Sequence, residues 1–373
     1  MEKHLERRRE QEPKEYVRSV ERLWLRVQND KNRVASLPHV IKFDDVPWRQ
    51  SAQSYRKAFF DCGPQERLTA APISSIGVHE QIIPPGGKSG RHRHYFEAIF
   101  YIVEGRGYEI HDGERYPWEA GDIMIVPTYC VHQHFNSSSS EDARLFFSVP
   151  AVYEVLMIAG TEQIEMHADY NFPAGAPLLY STDGQVVGYK TEDGEEVRFS
   201  QVDLELQRVM AEKHGADDGN TAANTYEKYV TTLTEQRRVR QSAPHVIRER
   251  DCIWEDTRMG RLKYLIHPYT SSGLYVYDAF IQDIPPGGRS GRHRHVSEEV
   301  HKILEGKGFD VHDGKRWDWQ AGDVVCIPVN TVHQHFNADS KRPAKFVAFQ
   351  SRLPHHLGQG GVQHIEDAAT HQG

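Results

Sequence analysis

Cysteine is scarce in this chain. Its four cysteines are scattered and form no CxxC pair; they are Cys62, Cys130, Cys252 and Cys326. Disulfide frameworks belong to oxidising compartments and show closely spaced cysteines, and CxxC pairs are the usual sign of zinc or redox sites. We therefore expect reduced thiols and a cytoplasmic protein.

Long apolar runs and an excess of positive charge are also missing. No segment approaches the roughly 20 apolar residues that cross a bilayer, and the N-terminal stretch MEKHLERRREQEPKEY has no apolar signal-peptide core. The formal net charge is −8, whereas a protein that binds nucleic acid presents a basic face to the phosphates. We expect neither a membrane nor a nucleic acid as a partner.

Histidine, by contrast, is abundant, with 22 copies among 373 residues. Many of them lie in a repeat, because residues 84–136 align without a gap to residues 285–337, with 30 identities in 53 positions. Both copies begin with PPGG and GRHRH and end with VHQHFN. Upstream, LPHVI at 37–41 recurs as APHVI at 243–247. The length and the repeat together predict two duplicated domains.

Helix-like stretches at 15–27 and 227–239 precede the two copies. We expect an irregular connection at 171–185, a helix at 201–215 and a poorly ordered tail. The predicted segments are 1–36 (N-terminal helical segment), 37–160 (first barrel), 161–242 (connecting segment with helices), 243–352 (second barrel) and 353–373 (tail).

Within each unit the signals are those of short antiparallel strands. Asp112-Gly113 lies between two alternating stretches, which is the strongest short hairpin signal, and Asp313-Gly314 repeats it. Many short strands with regular turns indicate a barrel or jelly roll. The predicted fold class is all-β, with two tandem jelly-roll β-barrels and a few flanking helices.

The HxH segments predict metal sites. On a strand, residues i and i+2 point to the same face, so two imidazoles there can converge on one ion, and a third ligand comes from the strand that carries VHQH. Burying four imidazoles in one barrel without a metal or solvent would be costly. The predicted ligands are His92, His94 and His132 in the first unit and His293, His295 and His333 in the second.

A carboxylate distinguishes the two sites. Glu299 has the parity of the second unit's histidines and is a predicted fourth ligand, whereas Ala98 occupies the matching place in the first unit. Glu97 has the opposite parity there, although a β-bulge would shift the parity and turn it inward. We expect three histidines in the first site and three histidines with a glutamate in the second.

These residues resemble the signature of the cupin superfamily, G-x5-HxH-x3-E-x6-G followed by G-x5-P-x4-H-x3-N. The second copy matches it throughout, and the first departs only at Ala98. The matching residues are Gly287, His293, His295, Glu299, Gly306, Gly322, Pro328, His333 and Asn337 in the second copy, and Gly86, His92, His94, Gly105, Gly121, Pro127, His132 and Asn136 in the first. The resemblance implies two tandem cupin domains.

The missing glutamate at Ala98, the HRH segment and the terminal HxHxN resemble the bicupin gentisate and salicylate 1,2-dioxygenases. This resemblance implies Fe(II) on the three first-barrel histidines, O2 as co-substrate, cleavage of a small hydroxylated aromatic ring, and a homo-oligomer. Three imidazoles leave up to three positions of a six-coordinate iron open, in line with that chemistry. Ligand type alone does not select the metal, so Mn(II) or another divalent ion stays open.

His134, one strand step beyond His132, also faces inward and is the candidate catalytic residue. It resembles the substrate-contacting histidine of those enzymes, and as an imidazole it could hydrogen-bond a substrate hydroxyl or act as acid or base. The alternative is that it orients a metal ligand. The side chains expected to line the two cavities are Phe96, Ala98 and Phe100 in the first barrel and His301 and His335 in the second.

Two other functions stay open. A manganese bicupin of the oxalate decarboxylase or oxidase type carries the glutamate in both barrels, which Ala98 argues against. A ligand-binding cupin without turnover has no reason to retain complete inward histidine sets in both barrels. We expect the chemistry in the first barrel, because its cavity is apolar and its metal would have one more open position.

Overall fold

The two copies of the repeat fold into two β-barrels. The computed structural model describes residues 19–59, 72–155, 160–200, 224–269 and 276–370. The N-terminal half comprises α1 (Ser19–Ser36), β1 (Val40–Ile41), β2 (Arg49–Gln50), β3 (Tyr55–Ala58), β4 (Ile76–Ile83), β5 (Arg91–His94), β6 (Ala98–Glu104), β7 (Arg106–His111), β8 (Glu114–Glu119), β9 (Ile123–Val126), β10 (His132–Asn136), β11 (Ala143–Pro150), α2 (Val152–Val155) and β12 (Thr161–Glu165).

The connecting part and the second half follow the same plan. The connection contains β13 (Leu178–Tyr180), β14 (Val186–Lys190), β15 (Glu196–Arg198) and α3 (Thr225–Gln241). The second half contains β16 (Val246–Ile247), β17 (Glu255–Thr257), β18 (Gly260–Ile266), β19 (Tyr277–Ile284), β20 (Arg292–His295), β21 (Glu299–Glu305), β22 (Lys307–His312), β23 (Lys315–Gln320), β24 (Val324–Ile327), β25 (His333–Asn337), β26 (Ala344–Ser351), α4 (Leu353–His356) and β27 (Val362–Glu366).

Each barrel consists of a seven-stranded and a five-stranded antiparallel sheet. The first barrel has the orders β16-β9-β6-β11-β4-β3-β2 and β12-β5-β10-β7-β8. The second has β1-β24-β21-β26-β19-β18-β17 and β23-β22-β25-β20-β27. The sheets confirm the predicted all-β fold with two tandem barrels. The predicted hairpins are also present, since Asp112 and Gly113 both have positive φ, 47° and 94°, as a type I′ turn requires.

A reciprocal strand exchange links the two barrels. Strand β1, from the N-terminal unit, pairs with β24 of the second barrel, and β16, from the second unit, pairs with β9 of the first. These strands are the VI dipeptides of LPHVI and APHVI. The repeated motif therefore closes the sheet of the opposite barrel, and not the sheet of its own.

The two seven-stranded sheets bury apolar side chains on both faces. In β6, Ala98 and Phe100 belong to the cluster inside the first barrel, whereas Ile99 and Tyr101 belong to a cluster shared with the second barrel. This explains why AIFYIV reads as a continuous apolar run, since strands covered on both faces lose the alternation of a half-exposed strand.

An ion cluster lies within this interface. Lys302, 1% exposed, places its Nζ 2.6 Å from Glu80 Oε2, and the Glu80 side chain is fully buried. Arg144 Nη2 lies 2.5 Å from the other oxygen of Glu80, and Lys302 also donates to the carbonyl of Gly322 at 2.6 Å. The buried ammonium and carboxylate thus compensate each other across the two barrels.

The predicted segment boundaries differ from the observed pairing in several places. Strand β12, which begins one residue after the predicted end of the first barrel, pairs with β5. The prediction of a poorly ordered tail is wrong where β27 pairs with β20. The connection expected to be irregular contributes to the three-stranded sheet β13-β14-β15. The helix predicted at 201–215 lies outside the described residues.

Helix α1 carries apolar side chains that remain exposed. Leu23 and Trp24 are 55% and 65% exposed, so these two side chains are not packed against a barrel of the same chain. The homo-oligomer stays a prediction, to be checked by light scattering at micromolar concentration. Among the described residues, no helix is both long and apolar enough to cross a membrane.

Candidate metal centres in the two barrels

Three histidines converge inside the first barrel. His92 and His94 lie on β5, and His132 on β10 is the direct cross-strand partner of His92. The ring centroids of His92 and His132 are 4.1 Å apart, those of His94 and His132 are 4.8 Å apart, and those of His92 and His94 are 5.6 Å apart. One nitrogen from each ring lies within 4.8 Å of the others. The strand parity therefore brings the three predicted ligands together.

Backbone carbonyls fix the orientation of these rings. The Nδ1 atoms of His92, His94 and His132 lie 3.2, 2.6 and 3.0 Å from the carbonyl oxygens of Gly90, Phe96 and Cys130. Each Nδ1–H donates to its carbonyl, so each Nε2 keeps its lone pair for a ligand. Metal-binding histidines are typically oriented by such a hydrogen bond.

Burial keeps the imidazoles neutral. Burial and the neighbouring imidazoles lower the pKa of His92 to about 3, and burial lowers the pKa of His94 to about 4. The pKa of His132 lies well below its ordinary value for the same two reasons. Neutral imidazole is the form that binds a metal, so the set is ready for an ion near neutral pH.

The second barrel repeats this arrangement. His293 and His333 are cross-strand partners with ring centroids 4.2 Å apart, and the His295 centroid lies 5.0 Å from that of His333. The Nδ1 atoms of His295 and His333 lie 2.7 and 2.9 Å from the carbonyl oxygens of Ser297 and Thr331.

Both histidine sets fit a metal ion. The buried Nε2 atoms of His132, His293 and His333 have no hydrogen-bond partner within the described residues. Buried polar atoms without a partner are costly, and a divalent ion would satisfy all of them. The donor sets, three imidazole nitrogens with or without a carboxylate, are those of Fe, Mn, Zn and related ions.

Glu299 faces the second set, as its parity predicts. Its Oε2 lies 3.1 Å from His295 Nε2 and accepts a hydrogen bond from Gln350 at 2.7 Å, and its Oε1 accepts one from His301. Burial by itself raises the pKa of Glu299, but these histidines lower it well below the ordinary value. Glu299 is therefore an anion at the edge of the candidate centre.

Glu97 points away from the first set. The Glu97 side chain is 3% exposed, and its Oε1 lies 3.9 Å from Nε of Arg240 on α3. Ala98, 1% exposed, takes the inward place next to the histidines. No β-bulge turns Glu97 toward the histidines, so the first set has no carboxylate corresponding to Glu299.

Aromatic rings line the inside of the first barrel beside His134. Phe100 stacks on Phe147 with centroids 4.8 Å apart and lies 4.6 Å from the ring of His134. His79 stacks on the other member of this pair, Phe147, at 4.9 Å. Phe96, expected to line the cavity, stacks on the His94 ring at 4.2 Å. Phe147 and His79 were not predicted from the sequence, because they lie on strands outside the repeat core.

The second cavity is polar at the matching positions. His301 occupies the place of Phe100, stacks on Phe346 at 4.0 Å and lies 4.7 Å from the ring of His335. Ala348 replaces Phe147, and Glu299 replaces Ala98. At the places of Ala98 and Phe100, the second barrel thus presents hydrogen-bonding groups where the first presents apolar ones, whereas Phe280 replaces His79.

A chain of buried groups stands behind His134. His134 Nδ1 lies 2.5 Å from Glu109 Oε2, the other oxygen of Glu109 lies 3.2 Å from His111 Nε2, and His111 Nδ1 lies 2.5 Å from His245 Nδ1. Burial alone raises the pKa of Glu109, but His134 and His111 lower it to about 2. The carboxylate therefore holds Nδ1–H of His134 and leaves Nε2 to the cavity.

The second barrel has the same chain. His335 Nδ1 lies 2.8 Å from Asp310 Oδ2, His312 Nε2 lies 3.3 Å from that oxygen, and His312 Nδ1 lies 2.8 Å from His39 Nδ1. His39 and His245 are the histidines of LPHVI and APHVI, so each chain ends on a residue from the opposite unit. Two features of the sequence indicate these chains: the histidine repeated in LPHVI and APHVI, and the alternation of Glu109 with His111. No local sequence pattern indicates that His39 and His245 reach the opposite barrel.

The fold and this geometry agree with comparisons to known proteins. The model of the cupin domain matches residues 79–149 and 280–350. The chain is therefore a bicupin, a protein of two cupin domains. It is similar in sequence to gentisate and 1-hydroxy-2-naphthoate 1,2-dioxygenases, and in structure to a salicylate 1,2-dioxygenase.

Two curated relatives illustrate the sequence similarity. The chain is 31% identical over 282 residues to 1-hydroxy-2-naphthoate 1,2-dioxygenase of Nocardioides sp. (strain KP7), which covers 73% of this chain and 62% of that protein. It is 21% identical over 262 residues to gentisate 1,2-dioxygenase 1 of Aquipseudomonas alcaligenes, covering 68% of this chain and 64% of that protein. The chain thus spans less than two thirds of the length of either relative.

Solved structures share the fold. The salicylate 1,2-dioxygenase of Pseudoaminobacter salicylatoxidans with gentisate superimposes with a TM-score of 0.55 at 14% identity, covering 95% of this chain and 96% of that one. A variant of the oxalate decarboxylase OxdC of Bacillus subtilis gives a TM-score of 0.51 at 12% identity, covering 83% and 76%. At these identities the likeness concerns the bicupin fold.

Proposed function

We propose that the chain is an iron-dependent ring-cleaving dioxygenase whose reaction takes place in the first barrel. The single observation that carries the proposal is the combination of three convergent histidines with Ala98 and a phenyl-lined wall. Such a site combines open coordination positions with an apolar surface. The similarity to a gentisate and a 1-hydroxy-2-naphthoate 1,2-dioxygenase supports an aromatic substrate with a carboxylate and a hydroxyl.

His92, His94 and His132 would hold the metal. When bound, Fe(II) supplies the redox chemistry with O2 and open positions for a bidentate substrate. Ala98 presents only a methyl group where the second barrel presents a carboxylate, and so leaves space beside the histidines. Mn(II) is the alternative ion, because the same three ligands accept it.

Phe100 and Phe147 would bind the substrate ring. Stacked at 4.8 Å, they would offer an apolar surface of ring edges that an aromatic ring can contact, and they would exclude water from that side. His134, beside Phe100, presents Nε2 to the cavity because Glu109 holds its Nδ1–H. Its Nε2 can accept a proton from a substrate hydroxyl as that oxygen becomes an anion, and can return it later.

Oxygen uptake tests the proposal directly. The protein would be loaded anaerobically with Fe(II) and then exposed to O2 with gentisate, salicylate, substituted salicylates, hydroquinone or oxalate. We expect uptake with hydroxylated aromatic acids and a ring-opened product by mass spectrometry. Mn(II)-loaded protein serves as the metal control.

Two outcomes would replace this function with one of the alternatives. Conversion of oxalate by the Mn(II) form, without turnover of any aromatic, would indicate the oxalate-type bicupin. Tight binding of an aromatic acid, without O2 uptake by the protein loaded with any of the metals tested, would indicate a binding protein.

A further inference from the structure

A cavity of about 540 Å³ lies at the mouth of the second barrel. The residues that line it include Lys31, Arg294, His295, Asn330, Val362 and Gln363. Among the described residues that line this cavity, the side chains with a permanent charge are Lys31 from α1 and Arg294 from β20, and both are cations. A concave surface with charges of one sign attracts and retains ligands of the opposite sign.

The first barrel neutralises the matching arginine. Arg93, the counterpart of Arg294, places Nε 2.5 Å from Glu162 Oε2. Gln363 stands in the place of Glu162 in the second barrel, and Arg294 donates to its neutral Oε1 at 2.7 Å. One substitution on the covering strand therefore leaves the guanidinium charge of Arg294 available to a ligand, whereas Glu162 offsets that of Arg93.

The second mouth also has more space. In the first barrel Tyr95 and Tyr129 pack edge to face with centroids 5.0 Å apart. Val296 and Asn330 occupy the corresponding places of the second barrel and line the cavity. Two bulky rings are thus replaced by a small side chain and an amide that can hydrogen-bond a carboxylate.

Nearby carboxylates are already engaged. Glu298 accepts hydrogen bonds from the backbone N–H and hydroxyl groups of Ser74 and Ser75, at 2.5 to 3.1 Å. Asp30 lies 3.9 Å from Nε of Arg26. These two carboxylates, with Asp313, line the adjoining cavity and are absent from the lining of this one.

We propose that this cavity is a binding site for a small dicarboxylate, separate from the aromatic site of the first barrel. Lys31 and Arg294 provide one cation for each carboxylate, and Arg294 offers a fork of donors that suits a carboxylate. His295, which also lines the cavity, belongs to the second histidine set, so the ligand would lie next to that candidate centre.

Calorimetric titration with succinate tests the site, with succinamide as an uncharged probe of the same length. The purified, metal-loaded protein is titrated at constant ionic strength. We expect saturable binding of succinate and none of succinamide. Gln363→Glu, which restores the carboxylate found in the first barrel, should weaken succinate binding about tenfold, as expected for one close charge pair near the surface. Lys31→Gln, on a different element, should weaken it by a similar factor.

Gln320→Glu is the matched control. Gln320 is exposed, lies away from the cavity and corresponds to Glu119 of the first repeat, so this variant adds the same charge without touching the site. It should bind succinate like the wild type. Equal affinity for succinate and succinamide, equal weakening by Gln363→Glu and Gln320→Glu, or no saturable binding would each overturn the proposal. This experiment measures binding and not turnover. Succinate binding can therefore be absent while the first barrel turns over an aromatic substrate, and it can be present while aromatic turnover is absent.

Discussion

The two barrels share their convergent histidines and differ in what surrounds them. Each has three convergent histidines and a fourth that is backed by a carboxylate and two further histidines. Beside this common set, Ala98, Phe100 and Phe147 in the first barrel stand opposite Glu299, His301 and Ala348 in the second. Two of these three differences, at Ala98 and Phe100, place a carboxylate and an imidazole where the first barrel is apolar.

This difference shows which parts of the site the fold dictates. The ligands occupy alternate positions on paired strands, so their convergence follows from strand parity and register. The neighbours on the same face can change without moving the strands, and they determine what binds. The fold supplies the metal set, and the adjacent side chains supply the specificity.

The strongest test removes one ligand from each barrel. We expect His92→Ala to abolish O2-dependent turnover of the aromatic substrate, because it opens the first set, and His293→Ala to retain activity. Oxygen uptake after Fe(II) loading measures both, with circular dichroism to confirm folding. An inactive His293→Ala beside an active His92→Ala would assign the chemistry to the second barrel.

The interface offers a second test, because its ion cluster is asymmetric. Glu80 corresponds to Ile281 in the second repeat, and Lys302 corresponds to Tyr101 in the first. Glu80→Ile leaves the Lys302 ammonium buried without its carboxylate and should lower the free energy of unfolding by about 3–5 kcal/mol. The double variant Glu80→Ile/Lys302→Tyr should recover much of this loss. Urea unfolding of the wild type and both variants measures these free energies. A Glu80→Ile variant as stable as the wild type would show that Lys302 finds another partner.

Glu299 should separate the two centres in metal retention. We expect two metal ions per chain at saturation, the second site holding its ion more tightly because of this anionic ligand. Glu299→Ala should accelerate metal loss from the second barrel to a chelator by about 100-fold, the upper range for groups that support a metal site. Glu305→Ala, which removes an exposed carboxylate from the same strand, is the control. Unchanged metal loss in Glu299→Ala would show that the glutamate is not a ligand.

The smallest effect should come from the cross-barrel histidines. His245→Phe removes the end of the chain that leads through His111 and Glu109 to His134, and we expect kcat to fall about tenfold, the lower range for such supporting partners. His39→Phe makes the same change behind the second barrel and should leave aromatic turnover unchanged. The kcat and KM of both variants, with the pH profile of kcat, provide the measurement. Equal loss in both would point to a general effect on stability.

Sequence patterns predicted what local rules determine. The repeat, the Asp-Gly hairpins, the convergence of the histidines and the inward position of Glu299 all follow from periodicity over a few residues, and the structure shows each of them. The contacts between distant segments could not be predicted. Strands β1 and β16 contain two residues each, too few for a pattern, and β27 lies in a His- and Gly-rich stretch that resembles a disordered tail.

The reciprocal strand exchange has a consequence for the cooperativity of unfolding. Each half of the chain supplies a strand and a histidine to the other barrel, so neither barrel has a complete sheet without its neighbour. Opening one barrel releases an edge of the other and exposes the shared apolar cluster. We therefore expect the duplicated halves to unfold as one thermodynamic unit, so that unfolding of either barrel also disorders the candidate metal centre of the other.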